Sequence, residues 1–237
     1  MGEFKYVGSE LRLFADMRNW KEYSSRQLRP FLTGDILEVG AGIGSNTRYL
    51  DCGGSGRWVC LEPDRDLYSQ LVTNLGARES GSPYETVCGT LESIAGQLFD
   101  TIVYIEVLEH ISDDRDELNR AASYLRPGGR LVVLSPASQF VFSPFDVAIG
   151  HHRRYNRAML RAIAPASLRL ETMKHLDCAG LTLSAGNAFV LRQFMPTQSQ
   201  LLFWDRWMVP LSRVLDGLLL NSAGKTIMAV WRKDPQI

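Results

Sequence analysis

The residues best placed to do chemistry begin with Glu38, Gly40, Gly42 and Gly44 in ILEVGAGIGSNTRYL, followed eighteen positions later by Glu62. A buried strand that runs into Gly-x-Gly-x-Gly and then into a helical segment brings backbone close to a ligand. Glycine tolerates positive φ, and a helix start offers unpaired N–H groups. A dinucleotide fingerprint would read GxGxxG and seat a pyrophosphate at the helix end. Here the spacing is GxGxG with Ala41 inside the loop, and the acidic Glu38 precedes it, which suits the ammonium of an amino-acid moiety better than a phosphate. Glu62, ending a strand and followed by Pro63, is placed to accept ribose hydroxyls. That role implies a nucleoside without saying which, and capping of the next helix or pairing with a surface arginine is the purely structural alternative.

Two further groups follow. FDTIVYIEVLEHI carries Glu106, Glu109 and His110 at the carboxyl end of a strand, the edge at which open α/β sheets bind ligands. Two carboxylates and an imidazole can ligate a divalent ion, or can stabilise the following turn. VFSPFDVAIGHHRRYNRAML then places Asp146, His151, His152, Arg153, Arg154 and Tyr155 close together. Guanidinium groups there can hold a carboxylate or phosphate, and a histidine can take a proton from an acceptor hydroxyl. A salt-bridged helix start is the alternative for the arginines. His151 and His152, with His110 behind them, are the candidate general bases.

The elements that position these groups alternate. ILEVG (36 to 40), WVCLE (58 to 62), ETVCG (85 to 89), TIVYIEV (101 to 107) and RLVVLS (130 to 135) are short apolar runs separated by helical patterns. That alternation predicts an α/β fold with a mostly parallel sheet and helices on both faces. A helix ending in YLRPGG is expected to stop just before the fifth strand. Residues 168 to 177 and 225 to 233 are candidate further strands. Residues 10 to 32 form an amino-terminal helical cover, and 187 to 222 an aromatic, amphipathic insertion. The chain is expected to be one domain: cover (1 to 32), ligand-binding core (33 to 137) and acceptor side (138 to 237), with the acceptor pocket and its lid in the cover and insertion.

ILEVGAGIG, CLEPD, VCGTLES, FDTIVYIEVLEHI and YLRPGGRLVVLSP, in that order and spacing, resemble the successive motifs of class I S-adenosylmethionine (SAM)-dependent methyltransferases, and GKTIMAVWRK is similar to their seventh strand. The resemblance implies a Rossmann-like seven-stranded sheet whose last strand is antiparallel. It also implies that Glu38, Gly40, Ala41, Gly42 and Gly44 surround the methionine part of SAM, and that Glu62, with Pro63 beside it, holds the ribose. Thr90 and Leu91 match the positions flanking adenine, although many relatives carry Asp at the Thr90 position. Glu106 matches the residue facing the sulfonium. No metal is expected, since the ExxEH letters are widespread in relatives without one. The segment from Phe145 to Leu160 resembles the FDxxxGHxRRYxxxxL stretch of bacterial methyltransferases associated with sugar or cell-envelope glycan pathways.

The expected activity is therefore methyl transfer from SAM, leaving S-adenosylhomocysteine, to a small molecule or a sugar- or glycan-type hydroxyl or carboxylate. An NAD-dependent oxidoreductase and a non-catalytic SAM-binding module are the rivals. Lys plus Arg equal Asp plus Glu at 26 each, which gives no reason to expect a nucleic-acid partner. Cys52, Cys60, Cys88 and Cys178 form no CxxC pair and are expected to be reduced core thiols. MGEFKYVGSE lacks the features of a signal peptide, and no apolar run is long enough to span a bilayer, so a cytoplasmic monomer or homodimer is expected. The insertion offers membrane docking as an alternative to packing on its own core.

Overall fold

The computed structural model describes residues 6, 11–51, 53, 56–76 and 83–235; Cys52 and the first residue of the expected helical cover lie outside them. Seven strands form one sheet: β1 (Ile36–Val39), β2 (Trp58–Glu62), β3 (Tyr84–Cys88), β4 (Phe99–Ile105), β5 (Leu125–Pro136), β6 (Leu168–Leu176) and β7 (Thr226–Lys233). Their spatial order is β3-β2-β1-β4-β5-β7-β6. β7 runs antiparallel to both β5 and β6, and the other pairs are parallel. Alternate residues serve opposite faces, as a two-residue strand period demands. Leu37, Val59, Leu61, Ile102 and Val133 build one apolar cluster, while Ile36, Cys60, Val103 and Val132 belong to the other. The direction of chain travel across the sheet reverses between β1 and β4, and such a switch point leaves a crevice beyond the strands' carboxyl ends.

The amino-terminal cover is broken rather than continuous. α1 (Leu11–Ala15) and α2 (Arg18–Leu28) meet at Asp16 and Met17, because Met17 turns inward and is 1% exposed. α3 (Thr47–Leu50) follows the glycine loop, and α4 (Arg65–Leu75) follows β2. Asp64 caps α4, accepting the N–H groups of Asp66 and Leu67.

The fifth strand starts earlier than its apolar run indicates. α5 (Asp114–Ser123) ends before the proline, and Arg126–Gly129 arch out of a strand already begun: Phe99 pairs with Leu125, and Thr101 with Arg130. Two contacts set the arch. Arg126 bridges Asp35 at 2.9 Å and Asp100 at 2.6 Å, and a Cβ at Gly129 would lie 2.9 Å from the Arg126 carbonyl oxygen. β4 likewise begins and ends two residues early, so Glu106 falls just beyond it.

After β5 come α6 (Pro144–Ala148) and α7 (Arg157–Ile163). The insertion is larger than residues 187 to 222: α8 (Cys178–Gly186) opens it, and α9 (Gln198–Phe203) and α10 (Val209–Leu218) close it, with single π-helical turns at 187–191 and 204–208. Two buried carboxylates tie it together. Asp177 accepts Trp204 Nε1 and Ser212 Oγ, each at 2.7 Å. Asp216 accepts the Tyr23 hydroxyl at 2.6 Å and the Asp177 amide at 2.6 Å, joining α10 to α2.

Among the described cysteines only Cys60 is buried; Cys178 is half-buried and Cys88 is exposed. The expectation of core thiols fails at Cys88, which is exposed at the end of the edge strand β3.

Candidate active site

A cavity of about 220 Å³ opens beyond the carboxyl ends of β1, β2 and β4. Its floor is the glycine loop. Gly40 and Gly42 adopt φ of +69° and +57°, and a Cβ on Gly40 would lie 2.6 Å from Val107. Ala41 and Gly42 line the cavity beside Glu62 and Pro63. Gly44 does not line it; with φ of +74°, it instead lets the loop approach Leu71 and Leu75 of α4, where a Cβ would come within 2.9 Å of each.

Glu62 faces the cavity from the end of β2. One carboxylate oxygen accepts the Gly42 amide at 2.8 Å, and the other accepts the Asp64 amide at 2.9 Å. Burial raises its pKa, opposed by those two amides. Each oxygen keeps a lone pair for a ligand hydroxyl, since a carboxylate accepts about four hydrogen bonds and two are used. The structure thus excludes pairing with a surface arginine: Glu62 braces the loop and looks into the cavity.

Glu38 does not line the cavity. Its side chain points into the core between β1 and β2, where Trp58 Nε1 donates to it at 3.1 Å. Burial pushes its pKa up to about 7. A carboxyl so placed cannot meet an ammonium directly, so its part is to support the strand beneath the loop. Thr90 and Leu91 also stand off the cavity wall. Thr90 bonds Glu92, and Leu91, 2% exposed, packs in the core.

Glu106 holds φ of +55°, an uncommon geometry for a non-glycine residue that turns its carboxyl into the cavity. Burial raises its pKa against the attraction of His151 and Lys225. Glu109, fully buried, has no hydrogen-bond partner on either carboxylate oxygen; burial and then the charge of Glu106 push its pKa well up. His151 Nε2 lies 3.8 Å from Glu109, and the His110 and His151 rings meet edge to face at 4.7 Å. Burial holds His110 neutral, with its pKa lowered to about 4. Glu109, His110 and His151 offer ligand atoms within 4.8 Å of one another, a donor set that fits a divalent ion and would satisfy the orphaned carboxylate.

The GHHRRY segment divides sharply. His151 lines the cavity, and its Nδ1 lies 3.0 Å from Asp146, whereas His152 is exposed and outside the cavity. Asp146 is itself off the wall. Completely buried, it accepts Ser143 N, Ser143 Oγ and Arg154 Nε as well, and although burial works against it, His151 and Arg154 hold its pKa at about 2. Arg154 lines the cavity. Arg153 and Tyr155 do not: both bind Asp114, at 2.6 and 2.7 Å, and stitch α5 to the segment. Both arginines are salt-bridged, Arg153 to Asp114 and Arg154 to Asp146, and only Arg154 also lines the cavity. Successive side chains in an extended stretch point opposite ways, which sends one arginine to α5 and the next to the cavity.

Among the lining residues that the sequence reading did not single out are Lys225 and Tyr6. Lys225 enters from the start of β7, its Nζ 3.8 Å from the centroid of the Trp204 ring of the insertion. Tyr6 reaches over the cavity, its amide bonded to Asp64 at 2.7 Å and its ring 5.3 Å from His110. No periodicity marks either of them. The signal available for Lys225 was a cation opening KTIMAVWRK, whose other cations, Arg232 and Lys233, lie at the far end.

Residues 12–177 match the model of the family described as "Methyltransferase domain". The ubiquinone biosynthesis O-methyltransferase of Parvibaculum lavamentivorans is 31% identical over 111 residues, which cover 46% of this chain and 43% of that protein. The demethylmenaquinone methyltransferase of Tropheryma whipplei (strain Twist) is 30% identical over 154 residues, 64% of this chain and 60% of that protein. The chain thus spans about half the length of the curated relatives it matches. Among solved structures, the cyclase SpnF superposes with a TM-score of 0.63 at 13% identity, covering 96% of this chain and 95% of that one. That likeness concerns fold alone; a cyclase on the same scaffold means that the reaction has to be argued from the site.

Proposed function

The chain belongs to the methyltransferase-domain family, with its Rossmann-like seven-stranded sheet, and on that premise we propose that it transfers the methyl group of SAM to an oxygen of a small-molecule acceptor. One observation carries the reading: a single cavity holds the Gly40–Gly42 loop and Glu62 on one side and His151, backed by Asp146, on the other. A nucleoside donor and a deprotonated acceptor need those two sides in one chamber.

When bound, SAM supplies an electrophilic methyl on a sulfonium and leaves as S-adenosylhomocysteine. Glu62 would accept the ribose hydroxyls, Gly42 and Pro63 would border the nucleoside, and Glu106 would face the sulfonium. His151 takes the acceptor's hydroxyl proton on Nε2, while Asp146 holds Nδ1–H and stabilises the imidazolium that results. The displacement is in line, so the protein's remaining work is alignment and exclusion of water, to which α1, Tyr6 and the insertion contribute.

Relatives named for ubiquinone biosynthesis O-methylation favour an oxygen on a quinone-pathway small molecule, for which we take a phenol as the test case, over the sugar or glycan hydroxyl expected from the GHHRRY resemblance. The family match disfavours an NAD-dependent oxidoreductase, and His151 with its Asp146 partner argues against a module that only binds SAM. Incubation with methyl-labelled SAM and either catechol-type phenols or simple sugars tests the acceptor. Label on the phenol oxygen supports the reading; label on sugars alone refutes it.

A second reading has its own observation, the buried Glu109, whose carboxylate oxygens have no hydrogen-bond partner among the described residues, beside His110 and His151. Those three residues, with Glu106 adjacent, would hold a divalent ion that lowers the pKa of an acceptor hydroxyl, and Asp146 would then orient a liganding His151.

Among the described residues, no helix is long and apolar enough to cross a membrane.

A further inference from the structure

Behind the first cavity lies a second, of about 320 Å³, between α1, α6 and the insertion. The two share Phe14, Phe145, Arg154, Trp204 and Lys225 along their common wall. The second is otherwise largely apolar, and two of its lining residues, Leu191 and Phe203, are also 55% and 51% exposed. It is therefore open to the outside through an apolar mouth.

The shared wall is unusual in carrying two cations. Arg154 is 4% exposed, and its Nε is committed to Asp146, but its Nη1 is buried without a hydrogen-bond partner. A buried guanidinium donor left unpaired is costly, so Arg154 Nη1 is available to an acceptor on a ligand. Lys225 has no carboxylate within 4.0 Å among the described residues; its Nζ rests on the Trp204 ring instead. Asp146 offsets the charge of Arg154, Asp177 lies near Lys225 and Glu106 faces the first cavity, so the charged side chains that line the second cavity are the two cations and its other polar lining is neutral.

From these features, and resting on the methyl-transfer reading above, we propose that the acceptor is an anionic amphiphile. Its carboxylate or phosphate lies between Arg154 and Lys225, and its apolar chain fills the second cavity and leaves by the mouth at Leu191 and Phe203. Charge-assisted bonds from two desolvated donors select the oxyanion, and apolar burial selects the chain. The reacting hydroxyl then sits on the His151 side of the shared wall.

The test is calorimetric titration of the full chain with decyl phosphate, decanoate, decan-1-ol and inorganic phosphate, below the micellar range, with and without saturating S-adenosylhomocysteine. The expected result is that decyl phosphate or decanoate binds at least roughly thirtyfold more tightly than decan-1-ol and than inorganic phosphate. Lys225→Met keeps the aliphatic stem on Trp204 and should lower the affinity for the charged amphiphile roughly tenfold while leaving decan-1-ol unchanged; Lys225→Arg should restore it. Decan-1-ol binding as tightly as the charged amphiphiles, inorganic phosphate binding as tightly as decyl phosphate, or an unchanged affinity in Lys225→Met would each overturn the proposal. A protein that binds decyl phosphate through Lys225 but does not bind S-adenosylhomocysteine would refute methyl transfer and leave the amphiphile site standing.

Discussion

Asp146 Oδ1 lies 3.0 Å from His151 Nδ1, and that carboxylate is completely buried and held ionised by His151 and Arg154 together. With Nδ1–H donated to it, His151, which lines the cavity, keeps Nε2, 3.8 Å from Glu109, as its proton acceptor. This orientation makes His151 the residue whose loss separates chemistry from cofactor binding. His151→Gln should lower turnover by about 10²- to 10⁴-fold while the affinity for S-adenosylhomocysteine stays within about twofold. Single-turnover kinetics and calorimetry together check this; a parallel loss of affinity would move His151 into the cofactor site.

Glu62 accepts two backbone amides and faces the cavity. Glu62→Ala should remove charge-assisted bonds worth about 1.5 to 3 kcal/mol and weaken SAM roughly ten- to a hundredfold. Calorimetric titration with SAM decides it. An unchanged dissociation constant would take Glu62 out of the nucleoside site.

Burial raises the Glu38 carboxyl from the ordinary range near 4.5 to about 7. The folded state therefore holds a proton that the unfolded chain has lost between those values, and folding stability falls as pH rises through the window. Glu38→Gln should abolish that slope and stabilise the fold at pH 8 by up to about 3 kcal/mol, because a shift of one pKa unit is worth about 1.4 kcal/mol. Denaturant unfolding at pH 5 and pH 8 measures both. Loss of stability at pH 8 would show that the ionised carboxylate is needed where it lies.

How much of this was legible in the sequence follows from where each residue's partners lie. The Gly40-x-Gly42-x-Gly44 loop and Glu62 are local features: a strand end, a turn and a second strand end, each specified by its own neighbours; Gly40, Gly42 and Glu62 line the cavity, while Gly44 packs on α4 instead. The order of the apolar runs carried the sheet. Lys225 was invisible because β7 inserts between β5 and β6, which brings residue 225 beside Arg154 across the sheet. Arg153 and Arg154 read alike in the chain, and only the position of Asp114 on α5 separates a structural arginine from a site arginine. Thr90 and Leu91 came from family resemblance alone, and in this chain a bond to Glu92 and burial of Leu91 hold them off the wall. The Arg126–Gly129 arch was missed because proline and glycine signal a turn without saying that the strand resumes around it.

The cluster of Glu109, His110 and His151 gives the two accounts of proton removal opposite consequences. If His151 is the base, dialysis against a chelator leaves turnover within about twofold. A loss that magnesium or zinc restores would assign the role to a bound ion, with metal analysis of Glu109→Gln confirming its ligand.

The most direct test of the cofactor itself is thermal unfolding with SAM, S-adenosylhomocysteine and NAD at matched concentrations. A ligand at a hundred times its dissociation constant adds about 2.7 kcal/mol, which for a chain of this size raises Tm by roughly 5 to 10 °C. The account predicts that shift with SAM and S-adenosylhomocysteine and none with NAD; stabilisation by NAD alone would contradict it.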